Sequence, residues 1–241
     1  GTNFTDSLLV GHATTGTLDA ASDNTGVGIG ALDALTTGDD NTAVGSDAGT
    51  AINTGSDNVA IGSQALLVNA DGNSNTAVGA NAMDSNTSGT QHTAVGFGAL
   101  QANVSGNYSV AFGQKALYLT TGSNNTGLGN RAGYNITSGA GNVIIGQTDA
   151  GSATGSRQLL IAGYDGSTRT TWIDGDSSGN VTMPAELAAV SLDISGAIDV
   201  DGTTNLDAVD IDGAVQIDGT VTVGVDDTGL DVKFFGASAG A

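Results

Sequence analysis

Cysteine is absent from this 241-residue chain, proline occurs once, and five basic residues stand against twenty-five acidic ones. The absence of cysteine excludes disulfide bonds and thiolate metal sites. The net charge of −20 argues against a surface that binds nucleic acid or an anionic membrane. No run of eighteen apolar residues occurs, so we predict no transmembrane helix and no membrane insertion.

Aromatic residues make up 4% of the chain and charged residues 12%, and both values are low for a globular protein. There is too little large apolar surface to build a deep core. A narrow roll, whose interior is one side chain thick, needs no such core. The composition therefore favours a thin, repetitive fold.

Glycine, by contrast, is abundant, with 39 residues, and ten of them form a regular series of marker glycines. Eight of the nine steps in this series are seventeen residues long and one is sixteen. A fixed period with a small unit indicates a solenoid, in which each repeat packs mainly on its neighbours. The marker glycines are Gly11, Gly28, Gly45, Gly62, Gly79, Gly96, Gly113, Gly129, Gly146 and Gly163.

Most marker glycines follow a run similar to Asn41-Thr42-Ala43-Val44. These runs alternate, contain β-branched residues and are bounded by Gly, Asn and Asp, which indicates short strands. Frequent glycine and the lack of a 3.6-residue apolar period argue against helices. A second glycine, such as Gly55, stands ten residues after most markers, so each coil is expected to have two turns, one of which needs the positive φ that glycine adopts readily. The predicted fold class is all-β, a parallel β-roll or β-solenoid with seventeen-residue coils.

The alternation within each strand separates two columns of residues, one bulky and one small. We expect the bulky column to fill the interior of the roll. We expect the alanine column to contact other chains, most simply around a three-fold axis, because a solvated face would normally carry longer polar groups. The predicted roll core is Val44, Ile61, Val78, Val95, Phe112, Leu128 and Ile145. The predicted trimer contacts are Ala43, Ala60, Ala77, Ala94 and Ala111.

The pattern Asn-Thr-Ala-Val-Gly-x-x-Ala-Leu, followed by a Thr-Gly or Ser-Gly turn, resembles the head repeats of trimeric autotransporter adhesins. It is even more similar to repeats of marine bacteriophage fibre proteins. The resemblance covers about residues 8–163. It implies a left-handed parallel β-roll assembled as a homotrimer, although seventeen residues is longer than the typical adhesin repeat.

Three segments are predicted: a β-roll over residues 1–163, a neck over 164–190 and an acidic shaft over 191–241. In the neck, Trp172 is expected to plug the end of the roll. The shaft shows clean alternation of apolar and polar residues, with glycine at intervals on the apolar side, which indicates strands with one buried face. This segment resembles the triple β-helical shafts of phage fibres, which gives a β-helical or β-prism architecture.

No metal site and no cofactor are predicted. Four aspartates of the shaft, Asp199, Asp201, Asp210 and Asp212, could contribute to a calcium site together with backbone oxygens. A solvated acidic face is the favoured interpretation of these residues.

No catalytic residues are predicted, and we expect the chain not to be an enzyme. His12 and His92 are isolated. Glycoside cleavage usually needs a pair of carboxyl groups, one of them buried, whereas the only glutamate, Glu186, lies in the neck and most aspartates are expected in turns or on solvated faces. A threonine column beside the valines could order water as ice-binding proteins do. Because those threonines share the face predicted to point inward, that function is disfavoured.

The function predicted is that of a phage tail or head fibre on the virion surface, which extends toward a host glycan or protein receptor. The expected partners are two further copies of the chain and other virion proteins. Exposed side chains at variable positions are the candidate receptor contacts: Tyr108, Tyr118 and Tyr134, with Lys115 and Arg131. The alternative is an extracellular bacterial adhesin or filament subunit of the same architecture.

Overall fold

The computed structural model describes residues 7–11 and 20–184, and these residues contain strands and turns but no helix. One sheet holds twelve strands in chain order. The strands are β1 (Leu8–Val10), β2 (Thr25–Val27), β3 (Thr42–Val44), β4 (Val59–Ile61), β5 (Thr76–Val78), β6 (Thr93–Val95), β7 (Val110–Phe112), β8 (Thr126–Leu128), β9 (Val143–Ile145), β10 (Leu159–Tyr164), β11 (Arg169–Gly175) and β12 (Val181–Thr182).

Strands β1 to β10 are parallel, and each pairs with the same residues of the next coil. Ala43 lies opposite Ala60, for example, and Ala60 lies opposite Ala77. The sixteen-residue step is absorbed without a break, since Ala111 lies opposite Gly127. The predicted β-solenoid with coils of about seventeen residues is therefore confirmed.

The direction of the sheet reverses at its end. β10 pairs with β9 in parallel and with β11 in antiparallel orientation, and β12 adds a further antiparallel strand. The predicted neck thus begins as a β-hairpin that extends the solenoid sheet. The predicted shaft over residues 191–241 lies outside the described residues.

The alanine column lies inside the coil, so its assignment to trimer contacts was wrong. Its members are fully buried within the single chain: Ala43, Ala60, Ala77, Ala94 and Ala111. The space at this position is small because leucines from elsewhere in the coil already occupy it. A methyl group placed on Gly127, which stands in the same column, would lie 2.8 Å from Leu117 Cγ. Only a small side chain fits there in coils that have such a leucine.

The bulky column points away from the coil, so its assignment to the roll core was also wrong. Val44 and Leu128 are each 38% exposed, Ile61 is 40% exposed and Phe112 is 57% exposed. The remaining three predicted core residues, Val78, Val95 and Ile145, are partly exposed. Alternation distinguished the two faces of each strand correctly, but the small residues and not the large ones face the interior.

The bulk of the core comes from two positions after each marker glycine, four and seven residues on. In four coils a leucine or methionine at the first position meets a polar residue at the second, as with Leu66 and Asn69. Two other coils have glycine at the first position and isoleucine at the second, as with Gly49 and Ile52. A methyl group on Gly49 would lie 2.8 Å from Ile52 Cδ1, so the two positions share one fixed volume.

A ladder of buried asparagines precedes the strands. The side-chain amide of Asn41 donates to Asn24 Oδ1 at 3.0 Å and to the carbonyl oxygen of Gly55 at 2.8 Å. Asn58 repeats both bonds, to Asn41 Oδ1 and to Gly72 O. Each amide therefore bonds across its own coil and to the neighbouring coil, which satisfies buried polar groups that water cannot reach.

The two glycine series are needed for different reasons. Gly45, a marker, has a φ of +138°, which side-chain-bearing residues rarely adopt. The marker glycines thus supply the positive-φ turn expected in each coil, whereas Gly55, in the second series, has no positive φ. A methyl group there would clash with the carbonyl oxygen of Gly72 in the next coil. The close approach of neighbouring coils therefore selects the second glycine.

Candidate functional site

The described aromatic and basic residues all occur in the second half of the solenoid and in the hairpin. Residues 20–96 contain no phenylalanine, tyrosine, tryptophan, lysine or arginine, whereas residues 97–172 contain seven of these aromatic and four of these basic residues. The aromatic residues are Phe97, Tyr108, Phe112, Tyr118, Tyr134, Tyr164 and Trp172, and the basic ones are Lys115, Arg131, Arg157 and Arg169. A thin solenoid does not need these side chains for its core, so their concentration points to a surface function.

Three successive coils contribute to a ladder of cations and aromatic rings. The rings of Tyr118 and Tyr134 stack with their centroids 5.1 Å apart and their planes 11° apart. Arg131 Cζ lies 4.5 Å from the centroid of Tyr134, and Lys115 Nζ lies 5.3 Å from that of Tyr118 and 5.9 Å from that of Phe97. These are distances at which cations are attracted to ring faces.

The repeat itself places these side chains together. Lys115 and Arg131 both stand two residues after a marker glycine, and Tyr118 and Tyr134 both stand five residues after one. Equivalent positions stack from coil to coil, about 4.8 Å apart. Lys115 and Arg131 also share a left-handed backbone, with φ of 54° and 55°. The repeat thus stacks two cationic side chains in one column and two tyrosines in another.

The ladder leads into an open groove of about 370 Å³, formed where the last coil meets the β10–β11 hairpin. Arg131 lies at the ladder side of the groove and Arg169 at the hairpin side. The guanidinium of Arg169 donates from Nη1 to Thr148 Oγ1 at 3.2 Å. The lining residues are Arg131, Gln147, Thr148, Asp149, Tyr164, Ser167 and Arg169. The groove therefore presents two arginines against one carboxylate, together with amide, hydroxyl and phenol groups.

The hairpin turn that carries Tyr164 and Arg169 is fixed by Asp165. Its Oδ1 accepts from the backbone N–H of Thr168 at 2.7 Å and of Ser167 at 2.8 Å. The bond from Thr168, followed by that from Ser167, lowers the pKa of the Asp165 carboxyl below its ordinary value. The phenol of Tyr164 donates to the carbonyl oxygen of Gly166 at 2.9 Å. These bonds hold the hairpin side of the groove in place.

A second groove of about 350 Å³ is lined by Gly163, Tyr164, Asp165, Thr168, Thr170 and Trp172. The indole of Trp172 lies directly over Gly163, where a methyl group would come within 2.6 Å of Cζ2. Trp172 is nevertheless 55% exposed. It covers part of the hairpin surface and is not the buried plug that the sequence suggested.

The structure brings together two of the three tyrosines predicted to contact a receptor. Tyr118 and Tyr134 stack in the ladder, whereas Tyr108 stands in the turn before β7, at the position where Asp40 and Asp57 stand in earlier coils. The sequence did not associate Tyr164 and Arg169 with this surface. They come from the hairpin, which lies beyond the seventeen-residue repeat, so the repeat pattern contained no signal for them.

His92 is part of the buried ladder and does not line either groove. It occupies an asparagine position, is 1% exposed, and its Nδ1 accepts from the backbone N–H of Ser109 at 3.1 Å. Its other ring nitrogen, Nε2, bonds to the carbonyl oxygen of Gly106. The pKa of His92 lies below its ordinary value of 6.5 because burial disfavours the charged form.

No group of three or more potential metal-binding side chains occurs within residues 7–11 and 20–184. The weak calcium candidates, Asp199, Asp201, Asp210 and Asp212, lie outside the described residues. In the described part of the chain, no helix is long and apolar enough to cross a membrane. Comparisons of the chain with protein-family models, with curated proteins and with solved structures gave no match.

Proposed function

We propose that the chain is a structural and adhesive fibre protein of a phage virion, which assembles as a homotrimer and extends toward the host surface. The observation that carries the proposal is a continuous apolar stripe on the outer face of a regular solenoid. The outer stripe consists of Val10, Val27, Val44, Ile61, Val78, Val95, Phe112, Leu128 and Ile145.

The dimensions of the outer stripe support association. Nine strands at a spacing of about 4.8 Å extend over roughly 38 Å, and the strand residues two positions earlier widen the stripe by about 7 Å. Most of those second residues are threonine or valine, such as Thr42 and Val59. The stripe therefore covers on the order of 300 Å², a size that in monomers often marks a functional surface.

A second copy of the chain is the partner that fits the outer stripe best. A surface with a different axial spacing would lose register with the stripe within a few coils. A parallel copy has the same spacing throughout and remains in register along the whole solenoid. Three copies around one axis bury all three stripes in a closed assembly, and the resemblance of the repeats to trimeric adhesin heads supports that number.

The oligomeric state of the full chain tests this proposal. We expect light scattering coupled to size exclusion to give the mass of a trimer, three times 23.4 kDa. Val44→Asp places a charge in the stripe and should dissociate the trimer without unfolding the coil. Val104→Asp is the matched control, because Val104 is 45% exposed but lies outside the strands. A wild-type monomer, or equal effects of the two variants, would refute trimer formation through the stripe.

The location of the protein tests the fibre function separately. Antibodies against the chain should label intact virions at a projecting fibre in electron microscopy. Labelling of bacterial outer membranes in the absence of phage would instead support the alternative, an extracellular adhesin or filament subunit of the same architecture.

The outward threonines support a second candidate function, ice binding. Thr25, Thr42, Thr76, Thr93 and Thr126 lie on the same outer face as the valines, contrary to the inward orientation that disfavoured this function. A regular array of hydroxyl and methyl groups can order water. The column is interrupted by Val59, Val110 and Val143, and a trimer would cover it. Thermal hysteresis in a solution of monomeric protein would favour ice binding, and a trimer without hysteresis would favour the fibre.

A further inference from the structure

We propose that the groove between Arg131 and Arg169 binds an acidic saccharide, a sugar chain whose units carry carboxylate groups. The inference rests on the proposed adhesive function, because it specifies the chemistry of the receptor. It depends on the placement of the cations, the polarity of the groove and the contrast with the rest of the chain.

The cations form a row that suits a chain of anionic groups. Lys115, Arg131 and Arg169 belong to successive parts of the same surface, the first two one coil apart and the third on the hairpin across the groove. The planar fork of arginine matches a carboxylate with two parallel hydrogen bonds. The stacked rings of Tyr118 and Tyr134 hold the cationic side chains beside them, so less side-chain entropy is lost on binding.

The lining of the groove suits a sugar better than an apolar ligand. Gln147, Thr148 and Ser167 supply amide and hydroxyl groups, and Tyr164 adds a phenol ring with a polar end. The volume of the groove, about 370 Å³, lies within the range of small-ligand sites. Hydroxyl groups of a sugar can exchange hydrogen bonds with these donors and acceptors while its carboxylate pairs with the arginines.

The location of the site within the chain is also informative. Residues 97–169 contain four basic and two acidic residues, whereas residues 20–96 contain eight acidic residues and no basic one. A nucleic acid long enough to track the solenoid would meet that acidic surface and be repelled. A short acidic saccharide contacts only the cationic end.

Isothermal titration of the full chain with a trisaccharide of galacturonic acid tests the proposal. The methyl-esterified trisaccharide, which has the same shape without charge, is the control ligand. We expect the acid to bind and the ester to bind at least about tenfold more weakly, since each lost charge-assisted bond contributes about one factor of ten. Equal affinity for the two ligands, or no binding of the acid, would overturn the proposal.

Matched charge variants locate the binding site. Arg131→Gln and Arg169→Gln should each weaken binding of the acid about tenfold or more. Arg157→Gln makes the same change of charge at an exposed position that lines neither groove, and should change affinity by less than about twofold. Asp149→Asn removes the carboxylate in the groove and should strengthen binding. A loss with Arg157→Gln as large as with Arg131→Gln would show attraction by overall charge only and contradict a specific site.

Two further ligands identify the anion and exclude other partners. A sulfated trisaccharide that binds the wild type more tightly than the uronate would contradict the carboxylate assignment. Single-stranded DNA that competes with the uronate would contradict selectivity for saccharides. The protein without ligand could associate with itself in a salt-dependent way that Arg131→Gln abolishes. That result would show that the groove binds the acidic coils of another copy, and it would also overturn the proposal.

The test separates the two proposals. Titration of a soluble ligand requires neither a virion nor a cell, so absence of binding leaves the trimer and its location on the particle unaffected. Conversely, a monomeric chain that still binds the uronate through Arg131 and Arg169 would contradict the trimer while supporting the saccharide site.

Discussion

The two halves of the solenoid, residues 20–96 and 97–169, have the same kinds of residue in the interior but different residues on the surface. Both halves bury alanine in the strand and a ladder of polar residues before it. The first half has eight acidic residues and no phenylalanine, tyrosine or tryptophan, whereas the second has all the described tyrosines and a small excess of positive charge. The repeat therefore fixes the positions at which side chains project, and the residue types there can change without disturbing the coil.

The comparison separates positions that maintain the fold from positions that are available for binding. Ala77 in the first half and Ala111 in the second occupy the same buried column and are the same residue. Asp47 and Lys115 likewise occupy one surface column but carry opposite charges. Function can thus be confined to a few coils of an otherwise uniform solenoid.

The largest effect should come from a charge in the shared interior. Ala77→Asp and Ala111→Asp each place an unpaired carboxylate at a fully buried position, and each should lower the free energy of unfolding by at least about 3 kcal/mol. Urea denaturation measures both, with Ser63→Asp as an exposed control. A loss of stability with only one of the two variants would show that the interiors of the two halves differ.

A smaller difference in stability should separate alanine substitutions at two asparagines of one buried column, Asn69 and Asn103. Asn69 donates to Gly72 O at 2.8 Å and accepts from Asn86 Nδ2 at 2.6 Å, whereas neither side-chain polar atom of Asn103 has a partner. Asn69→Ala should cost about 1–3 kcal/mol because it leaves buried groups unpaired, and Asn103→Ala less than about 1 kcal/mol. Equal costs in thermal or urea denaturation would mean that Asn103 is also satisfied.

His92, near the boundary of the two halves, should make stability depend on pH. Because burial lowers the pKa of His92 in the folded state, the unfolded chain takes up the proton first as the pH falls below 6.5. The free energy of unfolding should then fall, by at most about 1.4 kcal/mol per pH unit, until the pH reaches the folded pKa. His92→Asn, which restores the common ladder residue, should remove this part of the pH dependence. A slope between pH 6.5 and 5 that persists unchanged in the variant would contradict the assignment.

The smallest effect should come from the cation–aromatic ladder of the second half. A double-mutant cycle of Lys115→Gln and Tyr118→Leu should give a coupling of about 0.5–1 kcal/mol in the free energy of unfolding, as is typical of partly exposed cation–π pairs. No coupling would mean that the ring and the ammonium group do not hold each other in place.

Much of the fold could be predicted from the period and the alternation, but the orientation of the strands could not. The sequence Thr42-Ala43-Val44 shows that Ala43 and Val44 face opposite ways without showing which one faces the interior. The structure resolves this through volume, since residues such as Leu66 and Met83 reach the interior from the turns and leave room only for alanine. The buried asparagines also have a role that local sequence does not reveal, because their bonds connect residues fourteen and seventeen positions apart.

The candidate site was predictable only in part. Tyr118 and Tyr134 could be identified because they stand at equivalent, variable positions of neighbouring repeats. Arg169 and Tyr164 could not be assigned to the same surface, because the antiparallel hairpin that brings them there follows the last coil and has no counterpart in the repeat. The period of the sequence predicts which residues stack in neighbouring coils. It does not predict how the hairpin folds at the end of the solenoid, and only the structure shows this.

Single cysteines in strand β9 test the central claim, that the alanine column faces inward and the valine column outward. Ile144, in the buried column, and its neighbour Ile145, in the outer stripe, allow the same substitution in a chain without other cysteine. Ile144→Cys should resist a thiol reagent until urea unfolds the chain, and should form no disulfide with another copy. Ile145→Cys should react with the reagent or form disulfide-linked chains on oxidation. Immediate reaction or cross-linking of Ile144→Cys, with Ile145→Cys protected and unlinked, would contradict the account.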